Sequence, residues 1–281
     1  MPDKDEAPQN SSTPEQEQTP EAEGLIAKMP FLEHLGELRT RLIYSAYAVM
    51  GAFIVAFVFK EQLYDVLKRP LEPYLPSGAK LIYTSPAELF FTYMKVSLLA
   101  GVIVASPVIF YQLWKFIAPG LYEKERKLVW PFVFTSSGLF IAGALFCYLV
   151  VFPFMFDFFM GLSTAEIVPM LKVNEYLSFS STMLMVFGLV FETPLILFFL
   201  AKLGLIDSKM LRKHRRYAIL GIFIIAAVVS PTPDAITQTL MALPLMVLYE
   251  FSIILIARVD KAKAKRAAEE AAAEAAGDDA S

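Results

Sequence analysis

The sequence predicts an all-α integral membrane protein with six transmembrane helices. Of its 281 residues, 56% are hydrophobic and 14% are aromatic, and the mean hydropathy of +0.53 is well above that of a soluble domain. Long apolar stretches recur, and about 20 apolar residues suffice to cross a hydrocarbon layer of ~30 Å. Four stretches are uncharged, residues 42–59, 96–114, 129–156 and 217–233, and two more, residues 176–201 and 235–257, are each broken by one glutamate.

Two polar tails flank these stretches. Residues 1–28 are predicted to be a disordered acidic tail, because they are rich in Pro, Gln and Ser and lack the basic and apolar regions of a cleaved signal. Residues 29–258 are predicted to form the six-span membrane domain. Residues 259–281 form a charged, Ala-rich C-terminal tail with helical propensity but no apolar stripe, which is typical of a solvated segment.

The segment before the first span, residues 29–42, has the pattern of an amphipathic helix. Its apolar residues recur at spacings of four and three, which favours a helix lying at the membrane interface. Glu33 and Glu37 share the opposite face, and Arg41 continues it. One interpretation is an interfacial anchor with a Glu37–Arg41 ion pair worth about 0.2–0.5 kcal/mol. The other is an acidic binding site.

The first connection, residues 61–88, contains Pro70, Pro73 and Pro76. These prolines exclude a long helix. A short amphipathic helix is predicted before Pro70, and the remainder is predicted to cover the outer face of the protein.

The second connection, residues 116–131, begins with Phe116 and turns at Pro119-Gly120. A charged run containing Glu125 follows, with acids in the first turn of a new helix. One interpretation of this run is a solvated surface whose opposite charges neutralise each other. The other is that Glu125 and Glu37 together form an acidic site. Carboxylates are natural acceptors for guanidinium because two oxygens match its fork of N–H donors.

Glu192 is the only charge in the apolar run 176–201. It lies ten residues, or about 15 Å, from Lys202, roughly halfway through the hydrocarbon layer. Ionisable groups at that depth often mark function, and a proton or cation site in a secondary transporter is one hypothesis. Pro194 opens the helix beside Glu192. Other prolines within or at the ends of spans predict further kinks: Pro107, Pro131, Pro153 and Pro244.

The fifth predicted span is short, with thirteen residues in 217–229 before a proline-rich break at residues 230–233. Local thinning of the bilayer is a plausible response to such a span. Asp234 can cap the sixth span. Thr237 and Gln238 then place polar groups inside the membrane, where they can join helices or serve a partner. Glu250 lies near the far end of this span and is expected to reach the interface.

Basic residues predict the orientation of the protein. They concentrate after the second span, after the fourth span and behind the sixth, which places those connections and both termini in the cytoplasm. The first outer connection and the residues next to it also carry several bases, including Lys68 and Lys95.

Several kinds of chemistry are disfavoured. Cys147 is the only cysteine, the two histidines lie outside the spans, and no phosphate-binding loop or hydrolase motif is found. The sequence therefore predicts no enzyme activity, no cofactor, no metal site and no nucleic-acid partner.

Four motifs in order across the chain resemble the TatC family, the receptor subunit of the twin-arginine protein translocase. They are HLGELRTRL before the first span, FIAPGLYEKERK after the second, FGLVFETP in the fourth and SPTPDAITQTLMALP into the sixth. The resemblance covers nearly the whole membrane domain. It implies a cupped array of six helices in the inner membrane of a bacterium, export of folded proteins driven by the proton-motive force, and a homo-oligomer within a larger complex.

The resemblance also implies roles for individual residues. Glu37 and Glu125 would contact the paired arginines of signal peptides, with Phe116 nearby and Arg39 shaping the site. Pro70 would correspond to the proline of the first outer loop in the family. Single-span TatA and TatB subunits would dock at a polar region within the membrane, formed by Glu192 and Gln238 with Thr237 and Asp234 beside them.

Overall fold

The computed structural model describes residues 20–76, 80–117, 129–164, 169–229 and 235–278, and within these ranges the side chains of residues 34–228, 235–265 and 268–269. Within these ranges the chain is almost entirely helical. The α-helices are α1 (Pro20–Val58), α2 (Lys60–Lys68), α3 (Pro86–Ile117), α4 (Val129–Phe146), α5 (Phe152–Gly161), α6 (Val173–Phe191), α7 (Thr193–Lys202), α8 (Ser208–Lys213), α9 (Arg215–Val229) and α10 (Ala235–Asp278).

Five helical segments of the described chain are long and apolar enough to cross a membrane: His34–Val58, Pro86–Ile117, Val129–Gly161, Val173–Lys202 and Ala235–Lys265. The sequence predicted a sixth span at the position of α9. That helix has 15 residues, which corresponds to about 22 Å, less than the ~30 Å hydrocarbon layer. Six spans therefore stay a prediction, one that requires a thinner bilayer beside α9.

The first span differs from the prediction of a separate interfacial helix. Helix α1 runs from Pro20 to Val58 without interruption, so the amphipathic segment simply continues into the span. The reason is that no proline occurs between residues 31 and 58 to break the helix. The predicted boundary at residue 29 falls inside this helix and stays a prediction.

Two spans are interrupted beside prolines, as the sequence indicated. In the third span the α-helix gives way to a π-helical turn, Cys147–Val151, just before Pro153 in the first turn of α5. The fourth is divided at Glu192, with Pro194 in the first turn of α7. Helix-start positions tolerate proline because their N–H groups have no intrahelical partner.

Glycines let the spans approach closely. A Cβ atom added to Gly143 of α4 would lie 2.5 Å from the Phe187 carbonyl oxygen of α6, and one added to Gly188 would lie 2.6 Å from the Phe140 ring. A Cβ on Gly101 of α3 would meet the backbone of Phe53 in α1 at 2.9 Å. Close backbone contact through small residues is the main way that helices associate in lipid, where the hydrophobic effect provides no driving force.

The short helix α2 confirms the prediction of a helix before Pro70. Two tyrosines from the long spans hold its C-terminal carbonyls. Tyr148 donates to the Val66 oxygen and Tyr176 to the Leu67 oxygen, each at 2.7 Å. These bonds satisfy two of the four carbonyls that a helix end leaves unpaired.

The two connections at the α2 end of the protein pair with each other. The Ile82 N–H donates to the Leu171 oxygen, and the Val173 N–H donates to the Ile82 oxygen. Nearby, a hydrogen bond from Lys68 to Glu72 raises the pKa of the Lys68 ammonium. This end of the molecule is therefore tied together by backbone bonds as well as by side chains.

The last helix continues beyond the predicted domain boundary at residue 258 and binds the connection after α7. The Lys263 ammonium donates to the Ala201 and Lys202 carbonyls at 2.9 and 3.1 Å. Asp260 accepts the Ser208 N–H at 2.9 Å. The first turns beyond residue 258 therefore cap the fourth span.

We predict that Gly143→Ala lowers the thermal midpoint of the detergent-solubilised protein, because its methyl group meets a backbone oxygen of α6 and overpacking costs about 1–3 kcal/mol. Gly138→Ala is the matched control on the same helix, since nothing lies within 4 Å of its added Cβ. Equal midpoints for both variants would contradict the close α4–α6 contact.

We also predict that Tyr176→Phe destabilises the protein by about 1–3 kcal/mol, because it leaves the buried Leu67 carbonyl without its donor. Tyr148→Phe is expected to cost less, since its bond to Val66 is exposed and water can replace the hydroxyl. Chemical denaturation in detergent measures both. A larger loss of unfolding free energy for Tyr148→Phe than for Tyr176→Phe would show that the exposed bond contributes more to holding α2 against the long spans.

Candidate functional site

A polar cluster forms where the N-terminal half of α1 meets the C-terminal end of α3. His34, Glu37 and Arg41 are three and four residues apart, so they share one face of α1. Arg41 Nη2 lies 2.9 Å from Glu37 Oε1, and Arg41 Nη1 donates to Gln112 Oε1 at 3.3 Å. The rings of His34 and Phe116 stack with centroids 4.3 Å apart and planes inclined by 14°.

Glu37 remains accessible within this cluster. Its side chain is 31% exposed, against 20% for Arg41. Arg41 engages one carboxylate oxygen with a single nitrogen and is itself anchored to α3 through Gln112. The ion pair predicted from the sequence is confirmed. Because a carboxylate can accept about four hydrogen bonds, Glu37 retains capacity for a second guanidinium.

The other residues predicted for this site are placed differently. Glu125 lies in residues 118–128, outside the described residues. Arg39 is exposed and only two positions from Glu37, and side chains at that spacing do not face each other on a helix. The structure therefore brings Phe116 against His34, one turn of α1 before Glu37, but does not bring Arg39 to that face. Gln112 and His34, which sequence reasoning did not select, complete the cluster.

A second candidate site surrounds Glu192, at the break between α6 and α7. Glu192 is 5% exposed, so it is buried in this conformation. The Ser136 hydroxyl of α4 lies near its carboxyl group, and Oε1 has no hydrogen-bond partner among the described residues. A buried polar atom without a hydrogen bond costs free energy.

Trp114 connects this carboxyl to α3. Its Nε1–H donates to Ser136 Oγ at 2.9 Å, and its ring stacks on Phe132 with centroids 4.6 Å apart. Trp114 and Ser136 were missed at the sequence level. A signal was available, because a buried tryptophan N–H needs an acceptor, but the acceptor could not be identified from spacing.

The remaining predicted residues lie elsewhere. Thr237 is almost fully buried in α10 and Gln238, its neighbour, is half-buried. Pro70 is half-buried and follows α2. Asp234 lies outside the described residues. Glu250 of α10 faces the start of α9, where Arg215 Nη2 approaches its carboxylate to 2.6 Å.

An apolar groove of about 1040 Å³ runs between α1 and α3. It begins at Leu42, next to Arg41, and its lining also includes Glu88, Lys95 and Asn174 toward the α2 end. A second groove, of about 470 Å³, shares Lys95 and continues along α6. The described part of the chain therefore contains the polar cluster around Glu37, the buried carboxyl of Glu192 and a long groove with charges toward the α2 end.

Long apolar helices interrupted at a buried carboxyl, with a charged cluster at one end, define a multi-pass helical membrane protein. A family model described as "Sec-independent protein translocase protein (TatC)" matches residues 33–244. The chain belongs to the TatC family, and the resemblance seen in the sequence motifs is confirmed.

Individual relatives agree with this assignment. The chain is 52% identical to a TatC protein of Desulforapulum autotrophicum over 81% of its length and 84% of the relative. It is 44% identical to one of Campylobacter jejuni, covering 84% and 97% of the two chains. These relatives are named as translocase proteins rather than enzymes.

A solved structure shows the same fold. A crystal structure described as the twin arginine translocase receptor TatC in DDM superimposes with a TM-score of 0.71 at 41% identity. The match covers 79% of this chain and 99% of that one. The protein is therefore a TatC-type component of the Sec-independent, twin-arginine translocation system.

We predict that Glu192→Leu raises the thermal midpoint while abolishing export activity. Removing a buried carboxyl that lacks a full set of partners relieves about 1–3 kcal/mol, and functional groups are often retained at such a cost. Glu192→Gln, which keeps the size and the contact with Ser136, is the control and is expected to change stability little. A lower midpoint for Glu192→Leu would identify the carboxyl as a structural group.

Proposed function

We propose that this protein is the signal-peptide receptor of the twin-arginine translocase in the inner membrane of a bacterium. Both termini lie in the cytoplasm, where an exported protein first arrives. The protein supports export of folded cargo across the membrane, driven by the proton-motive force. The observation that carries this proposal is the accessible Glu37 carboxylate, already in contact with one guanidinium at the junction of α1 and α3.

The cluster suits arginine better than lysine. The Glu37–Arg41 contact shows that a guanidinium fits against this carboxylate, and a planar, delocalised cation also stacks on aromatic rings. The His34–Phe116 stack provides such a surface on the same side of α1. One arginine of a signal peptide can thus bind Glu37 and the next can lie against Phe116, with Glu125 as a further acceptor.

Arg41 prepares the site instead of blocking it. It is held by Gln112 on α3, so it fixes the rotamer of Glu37 before the peptide arrives. Fixing a binding group in advance reduces the entropy lost on association. Arg39 is exposed on another face of α1 and serves as a peripheral contact with the peptide.

The buried carboxyl and the polar residues of α10 serve a different step. TatA and TatB, the single-span partners, dock near Glu192 and Gln238, with Thr237 and Asp234 as neighbouring polar groups. Pro70 supports the first outer loop. Because Glu192 is buried in this conformation, docking requires α6 and α7 to separate at their break. Several copies of the chain assemble with these partners in the working complex.

A secondary transporter that uses Glu192 as a proton or cation site is the alternative. The relatives are named as protein translocase components, which favours the receptor. The Glu37 cluster also has no evident role in moving a small solute.

We predict that Glu37→Gln weakens binding of a twin-arginine peptide about 10- to 100-fold, because a hydrogen bond to a charged group contributes about 1.5–3 kcal/mol. A fluorescent peptide titrated into nanodiscs measures this effect. Glu125→Gln is expected to act in the same direction.

The control variant is Glu61→Gln, an exposed acid in α2, and the control peptide carries two lysines. Thermal midpoints establish that Glu37→Gln remains folded after it loses its contact with Arg41. Equal affinity for the twin-arginine and twin-lysine peptides would overturn the receptor assignment.

A further inference from the structure

Lys95 is an exposed cation that lines the apolar groove. It lies nine residues from Pro86, the first residue of α3, or about 14 Å along the helix. Its ammonium donates to Asn174 Oδ1 and Ser178 Oγ, both at 2.9 Å. Both acceptors are neutral, and no carboxylate of the described chain forms an ion pair with it. The charge is held in place by α6 but is not neutralised there.

The surroundings of Lys95 suit a phosphate. An ammonium has three donors, and two of them are used, so one remains for a ligand. Ser181 lines the adjoining groove together with Lys95. A phosphate oxygen can accept the remaining N–H of the Lys95 ammonium.

Glu88 provides the opposite charge at the mouth of the same groove. It precedes Lys95 by seven residues, so the two share a face of α3, with Glu88 about 10 Å nearer the helix start. Its Oε2 accepts from the N–H and hydroxyl of Thr84. Its Oε1 accepts a long hydrogen bond, 3.4 Å, from the Asn174 N–H and keeps capacity to accept from a ligand amine.

The order of these charges matches one class of lipid. Along the groove a carboxylate comes first, then an ammonium, then an apolar channel lined by Leu98, Ile109 and residues of α1. A phospholipid with a primary amine has the complementary order of amine, phosphate and acyl chain. We propose that this groove binds a phosphatidylethanolamine molecule, with its phosphate on Lys95, its amine on Glu88 and an acyl chain between α1 and α3.

The headgroup must supply the selectivity. An acyl chain gains little by leaving bilayer for an apolar groove, because both surroundings are equally apolar. A phosphatidylcholine headgroup has no N–H to donate to Glu88, and phosphatidylglycerol has no amine. The charge pair therefore distinguishes lipids that share the same chains.

Native mass spectrometry of the full-length, delipidated protein tests this assignment. We expect phosphatidylethanolamine to bind at least tenfold more tightly than phosphatidylcholine or phosphatidylglycerol with identical chains. Lys95→Gln is expected to reduce binding at least tenfold, and Lys95→Arg to retain it. Glu88→Gln is expected to remove the preference for phosphatidylethanolamine over phosphatidylcholine while phosphate-dependent binding persists. Lys80→Gln, an exposed lysine that does not line the groove, is the control.

Two results would overturn the proposal. One is equal binding of the three lipids to the unmodified protein. The other is an unchanged preference for phosphatidylethanolamine over phosphatidylcholine in Glu88→Gln, a variant that keeps both bonds of Lys95 to α6. A photoreactive residue at Leu98 supplies a further check in native membranes. Crosslinks to phosphatidylethanolamine support the site, whereas crosslinks to a polypeptide alone would assign the groove to a partner helix or a signal peptide.

Discussion

The structure depends on one constraint, that a backbone polar group inside a bilayer must find its partner within the protein. Helices satisfy most of these groups, so the described chain is helical almost throughout. Where a helix ends or changes, a side chain or a second helix supplies the bond. Tyr148 and Tyr176 do this for α2, and Lys263 does it for α7. The irregular positions are consequently the places where distant parts of the chain meet.

The same constraint determines where charge can reside. Glu37 and Lys95 lie near opposite ends of the α1–α3 pair, and each is bonded to a neighbouring side chain that fixes its position. Both have unused hydrogen-bonding capacity, which is the property that a binding group needs. The close approach of α1 and α3 at Gly101 aligns the two ends and leaves the groove between them.

Glu192 has a different physical character. It combines burial, a break in the helix and a carboxyl oxygen without a partner among the described residues. Such a group reduces stability where it stands. Its chain of contacts through Ser136 to Trp114 positions the carboxyl within α3, α4 and α6. A rearrangement at the α6–α7 break is the way for it to reach a partner.

The sequence by itself determined the features that arise within one helix or one short segment. These include the all-α class, the short α2 and α9, the breaks at Pro153 and Pro194, and the Glu37–Arg41 pair, whose members are four residues apart. Hydropathy and proline act locally, so a single sequence is sufficient to read them. The continuous α1 was missed because an amphipathic pattern does not show whether a helix stops at the interface.

Only the tertiary structure decided the contacts between residues that are distant along the chain. Gln112 lies 71 residues from Arg41, and Ser136 lies 22 from Trp114. Ser178 lies 83 residues from Lys95. Such contacts depend on how the helices pack, and that packing is determined by the positions of Gly101, Gly143 and Gly188. Apolar periodicity cannot specify it, because in lipid both buried and exposed helix faces are apolar.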